Sequence, residues 1–205
     1  MTPEPKINPF MRIQYNSPVI LTFALLSLFA LGLAELTYRH ADWCSNMTFF
    51  SVWRGSFSWT DPLAYLRIFT HAIGHVNAAH FLNNFVLILL VGPMLEERYG
   101  WKWLGLMMLV TALITGVLHM FISPNPKLGA SGIVFMLILL ASFTNLQKGR
   151  VPLTLLLALG IFIGREILTA AGDGASANIA YMTHIVGGLC GAMFGFVANR
   201  AKLRG

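Results

Sequence analysis

The chain has 205 residues, of which 56% are hydrophobic and only 11% charged, with a net charge of +6 and a mean hydropathy of +0.68. A soluble domain of this size does not carry so apolar a surface, and the basic residues sit at the ends of apolar runs rather than on one polar element, which excludes a nucleic-acid binder. Cys44 and Cys190 offer no disulfide framework and no metal-ligand spacing, so a multi-pass membrane protein remains.

Residues 1–16 read as a polar cytoplasmic lead in which Pro3, Pro5 and Pro9 oppose helix. The run at 18–34 nears the roughly 20 residues needed to span. It is long for the apolar part of a cleavable signal peptide, and a retained helix is the preferred reading. Residues 35–79 hold no spanning run but are rich in aromatic side chains, among them Trp43, Trp53, Phe57 and Trp59. Such rings favour the membrane interface, so the long loop, taken as 37–79, is expected on the outer face. Further apolar runs lie at 80–95, 103–122, 131–145, 152–170 and 181–198, making six helices in a membrane domain over 17–199, with a basic tail at 200–205.

With the N-terminus inside, Lys6, Arg12, Arg98, Lys102, Lys148, Arg150, Arg200, Lys202 and Arg204 fall on the cytoplasmic side, against Arg39, Arg54, Arg67 and Lys127 outside. Both termini are then cytoplasmic, and the second, fourth and sixth helices all start at the outer face. From His80 to Glu96 is 16 residues, from Ser131 to Lys148 is 17, and from His184 to Arg200 is 16. At about 1.5 Å per residue, the three polar side chains share a level roughly 24 to 26 Å above the inner boundary.

Polar groups at that depth are costly unless they are partnered, which makes a functional site the default expectation. Asn84 follows His80 by one helical turn on the same face. Gly129 and Gly132 flank Ala130-Ser131 and clear space around the hydroxyl, although a capping serine at a helix start has the same appearance. On the sixth run Gly187, Gly191 and Gly195 recur every four residues, a strip that lets another helix approach and is read as internal packing rather than a dimer face. The chemistry these residues permit is acyl transfer: Ser131 as nucleophile, neutral His184 as base, and His80, Asn84 and the Ser131 backbone N–H as oxyanion donors. No acidic side chain lies at this depth on the three runs, so a dyad is expected and not a triad. Deacylation needs a water-filled hollow open to the outside.

The motifs Arg67-Ile68-Phe69-Thr70-His71-Ala72 with His75, His80-Phe81-Leu82-Asn83-Asn84, Glu96-Glu97-Arg98-Tyr99-Gly100, Gly129-Ala130-Ser131-Gly132, and His184-Ile185-Val186-Gly187 with Gly191 resemble, in kind and order, the rhomboid family of intramembrane serine proteases. The resemblance implies an all-α integral membrane protein with the six-helix rhomboid bundle. It implies cleavage of client proteins in or beside their transmembrane segments by Ser131 and His184, without cofactor or metal, in a bacterial inner (plasma) membrane with the site opening outward. A non-cleaving relative that binds or escorts membrane helices is the alternative. Two positions depart from the commoner pattern. Phe135 replaces a tyrosine, keeping a ring to pack under His184 without the hydroxyl, and Leu66 stands where tryptophan is common.

Other residues carry weaker expectations. His71 and His75, four apart, fit a metal pair on one helix face or loop packing, and loop packing is preferred. His119 is a possible cavity residue at the outer end of the third run. Arg165 and Glu166, neighbours within the fifth, point in different directions and bear on gating if that helix moves. Glu96 and Arg98 are expected to anchor the inner boundary.

Overall fold

Backbone amides in a bilayer meet no water, so apolar runs fold as helices that satisfy their own hydrogen bonds. The computed structural model of the chain describes residues 15–40, 44–146 and 175–202, with Leu153, Leu156, Leu157, Gly160, Ile161, Ile163, Gly164 and Leu168 between the last two stretches. Among the described residues it is helical apart from one isolated bridge. The helices are α1 (Pro18–His40), α2 (Ser45–Phe49), α3 (Pro62–Thr70), α4 (Ala78–Tyr99), α5 (Trp101–Ile122), α6 (Ser131–Leu146) and α7 (Ala175–Lys202). Here α1, α4 and α5 are long and apolar enough to cross a membrane, while α6 and α7 carry shorter apolar stretches at 131–142 and 182–198. The eight scattered positions between Leu153 and Leu168 are helical, as expected of the fifth run. Arg165 and Glu166 lie outside the described residues.

Every side chain from 131 to 138 is buried. A helix apolar all round belongs at the centre of a bundle, and α6 is packed by α7, α4 and α5. Its closest partner is α7, for a reason visible in the glycines. A Cβ on Gly187 would stand 2.2 Å from the Gly132 carbonyl oxygen, and one on Gly191 would stand 2.2 Å from that of Met136. Both pairs are spaced by four, so the two backbones touch along one helical turn of each.

Several boundaries move outward from the apolar runs. α1 continues to His40 rather than ending near 34. α4 starts two residues before His80, where the Asn77 side chain accepts from the His80 N–H at 2.8 Å. α7 begins at Ala175 instead of 181, because the polar Ser176 and Asn178 interrupt the apolar run without ending the helix. His184 therefore lies nine residues inside α7, not in its first turn.

The segment expected as one long loop is structured. Asp61 caps α3 by accepting from Leu63 N–H at 3.0 Å, with Pro62 at the first helical position. Arg67 donates to the carbonyls of Thr48 (3.0 Å) and Ser56 (3.2 Å) and pairs with Asp61, drawing α2, the loop and α3 together. Val52 and Lys127 exchange backbone hydrogen bonds at 3.0 and 2.9 Å, tying this segment to the strand of chain that enters α6. Leu66, at the position where tryptophan is common among relatives, is half exposed. At the opposite end, the buried Glu96 carboxylate accepts from Val19 N–H (2.9 Å) and Ile20 N–H (3.0 Å), closing the first turn of α1. Gly100, at φ 81, turns the chain from α4 into α5.

Candidate active site

Ser131 opens α6 and is 8% exposed; His184, on α7, is 5% exposed. The close approach of Gly187 to Gly132 falls one residue after the serine and three after the histidine. Below them Phe135, one turn after Ser131, stacks on the His184 imidazole with ring centroids 4.7 Å apart and planes within 10°. A ring held flat on one face has its plane, and the direction of both nitrogens, fixed. Both residues of the expected dyad are thus largely covered side chains on adjoining turns of touching helices.

From the other side come His80 and Asn84. Gly129 has φ 128, and a Cβ there would lie 2.7 Å from His80 Cε1, 2.9 Å from its Nε2 and 3.9 Å from Asn84 Nδ2. The imidazole and the amide therefore face the backbone two residues before the serine. Asn84 is 1% exposed and donates to the His80 carbonyl at 3.2 Å. Gly132 is similarly crowded, since a Cβ there would lie 3.2 Å from Thr115 Cγ2. Seven of the nine residues singled out in the sequence, Gly129, Ser131, Gly132, Phe135, His184, Gly187 and Gly191, lie along the α6–α7 seam or the turn entering it, and His80 and Asn84 close on that turn from α4.

The approach to Ser131 is held by two histidines that sequence reasoning left as packing residues. They do not share a helix face: α3 ends at Thr70, and the turn that follows brings Gly74 against the Phe50 carbonyl, where a Cβ would stand 2.7 Å away. His75 Nδ1–H donates to the Ile73 carbonyl at 3.0 Å, which leaves Nε2 to accept from Ala130 N–H at 3.4 Å. The His71 carbonyl accepts from Gly129 N–H at 2.8 Å, and His71 Nδ1–H donates to Ile68 at 2.9 Å. Burial lowers the His71 pKa to about 3, helped by the Lys127 ammonium. Burial lowers the His75 pKa likewise to about 3, helped by His80. Both are neutral acceptors or donors at neutral pH, and their four-residue spacing gave no sign that they would grip the two backbone amides preceding the serine. Among the described residues no group of three or more His, Cys, Asp or Glu side chains is arranged to hold a metal ion. His119 Nε2 bonds the Asn125 carbonyl at 2.9 Å and so fastens the α5–α6 connection.

Compared one by one with curated proteins, the chain has no match. The family model of the rhomboid domain matches residues 62–201, which takes in α3 through nearly all of α7 and every residue of the site just described. Its apolar spans and this match make the chain a multi-pass protein of the lipid bilayer, and it belongs to the rhomboid family.

Proposed function

We propose that the chain is an intramembrane serine endopeptidase that cleaves client proteins in or next to their transmembrane segments. The observation that carries this reading is the His184 imidazole, stacked on Phe135 and carried by the helix whose Gly187 touches Gly132, the residue after Ser131. A base so oriented next to a serine at a helix start is what nucleophilic acyl transfer needs.

In the proposed reaction Ser131 Oγ attacks the scissile carbonyl carbon while its proton passes to His184. The tetrahedral oxyanion is met by the Ser131 N–H, His80 and Asn84. His184 then returns the proton to the departing amine, leaving an acyl-enzyme at Ser131. Water, deprotonated by His184, attacks that ester; the acyl–Oγ bond breaks, His184 returns the proton to Ser131 Oγ, and the carboxylate fragment leaves. Six spans, cytoplasmic termini and a site opening to the outer face of a bacterial plasma membrane complete the proposal, supported by the lysine and arginine distribution. Ser131 is largely covered, so a client segment reaches it only when neighbouring chain moves.

The test is cleavage of a model transmembrane substrate by the purified protein in liposomes, paired with a fluorophosphonate probe. Wild type should cleave and label, and Ser131→Ala and His184→Ala should do neither while keeping the helical circular dichroism of wild type. Full cleavage by Ser131→Ala removes the mechanism. A well-folded wild type that neither labels nor cleaves any client, yet retains membrane helices, identifies the non-cleaving alternative.

A further inference from the structure

An apolar groove of about 450 Å³ runs between α1 and α5, with α6 beneath it. Val19, Phe23 and Leu26 form one wall, Gly105, Leu109 and Ala112 the other. Phe69 and Ile73, from the end of α3 and the turn after it, close the outer end, and Ile133 lies at the floor. Trp101 marks the inner end, and there Lys102 Nζ stands 5.4 Å from the centroid of the Trp101 ring, with the lysine exposed.

Dimensions and charge decide what fits. From Trp101 to Ala112 the wall is 11 residues long, about 16 Å of helix. Half of a hydrocarbon core of about 30 Å is about 15 Å. A single hydrocarbon chain, entering at one interface and ending near the bilayer midplane, is of the right class. The mouth carries an aromatic ring and an ammonium group, the pair that sits at headgroup level and attracts anionic lipid. The Glu96 carboxylate beneath this end is taken up by the Val19 and Ile20 amides.

We propose that this groove is a site for one anionic phospholipid of the inner leaflet, its acyl chain between α1 and α5 and its phosphate paired with Lys102. The site abuts the catalytic apparatus without being part of it. Ile133 is two residues past Ser131, and the roof residue Ile73 supplies the carbonyl that fixes the His75 tautomer. A chain filling the groove therefore supports both the floor under the serine turn and the segment that grips Ala130. The proposal rests on the cytoplasmic placement of Lys102 in the topology above, but lipid retention is read on purified protein without cleavage or orientation, so the two fail separately.

Native mass spectrometry of the full chain in mild detergent, titrated with dioleoylphosphatidylglycerol or dioleoylphosphatidylcholine, is the experiment. Wild type should retain one phosphatidylglycerol in preference to phosphatidylcholine. Lys102→Gln should weaken phosphatidylglycerol binding about fivefold, the worth of one basic residue at an anionic surface, and leave phosphatidylcholine unchanged. Leu109→Trp, which fills the groove from its rim, should reduce retention of both lipids; Gly105→Leu serves in its place if that variant loses helical structure. Leu90→Trp, on the exposed face of α4 and outside the groove, should change nothing. Unaltered phosphatidylglycerol binding in Lys102→Gln or in the filled variants, or an equal loss in Leu90→Trp, overturns the proposal.

Discussion

At the level of single residues, Phe135 and Gly129 act on the two ends of the site. The Phe135 ring lies flat under His184 and has no hydroxyl, so what it supplies is orientation through stacking. Aromatic pairs of this kind are worth about 0.5 to 1.5 kcal/mol beyond burial, so Phe135→Ala should lower kcat by about 2- to 10-fold with KM little changed. Phe135→Tyr keeps the ring and should stay within about twofold of wild type; initial rates on a transmembrane substrate in liposomes separate these outcomes. Gly129 is a different case because its φ of 128 excludes side chains before any contact is considered. Gly129→Ala adds a Cβ 2.7 Å from His80 Cε1, and the combined strain and displaced imidazole should cost roughly 1 to 3 kcal/mol. We expect cleavage to fall at least about fivefold, with fluorophosphonate labelling of Ser131 reduced less than turnover, since labelling depends less on His80.

Between elements, the α6–α7 seam is held by absent side chains, and neighbouring glycines provide the control. A methyl group on Gly187 meets the Gly132 carbonyl oxygen at 2.2 Å, whereas one on Gly188 meets Leu139 carbons at 3.6 Å, ordinary contact. Gly187→Ala must push the helices apart, and overpacking of this sort costs about 1 to 3 kcal/mol; Gly188→Ala should be neutral or slightly stabilising. Thermal unfolding in detergent should show a lowered midpoint for the first only, and cleavage should fall with it because His184 rides on the displaced helix. The strip Gly187, Gly191, Gly195 was readable in the sequence because small residues at a period of four have few other uses in a span. The apolar runs likewise located the cores of α1, α4, α5, α6 and α7, for hydropathy reports what faces lipid or the bundle centre. It does not report where a helix stops. Asn77 as a cap and Ala175 to Asn178 as a helical extension depend on hydrogen bonding and propensity, not on apolarity. The grip of His71 and His75 on Gly129 and Ala130 was illegible for a related reason: it joins positions more than fifty residues apart, through backbone atoms that leave no mark on composition.

Across the whole molecule, the loop between α3 and α4 and the turn into α6 form one clamp around two neutral imidazoles, and that gives stability a pH dependence whose sign is fixed. His71 and His75 are 1% and 0% exposed, and burial lowers both pKa values from 6.5 to about 3, with Lys127 and His80 respectively opposing a second positive charge. In the unfolded chain each ring takes up a proton near its ordinary value, so between about pH 6.5 and pH 3 the unfolded state binds more protons than the folded one. Stability is therefore fully present above about pH 6.5 and declines as the pH falls toward 3, by at most about 1.4 kcal/mol per pH unit for each histidine. Carboxylates begin to titrate near the lower end of that range, so the comparison is made between pH 7.5 and pH 5.5. Wild type should lose several degrees of unfolding midpoint over that interval. His75→Gln, which keeps a side-chain acceptor for Ala130 N–H but cannot be protonated, should start lower and lose measurably less than wild type. If the variant and wild type fall in parallel, the buried imidazoles are not what couples protons to the fold.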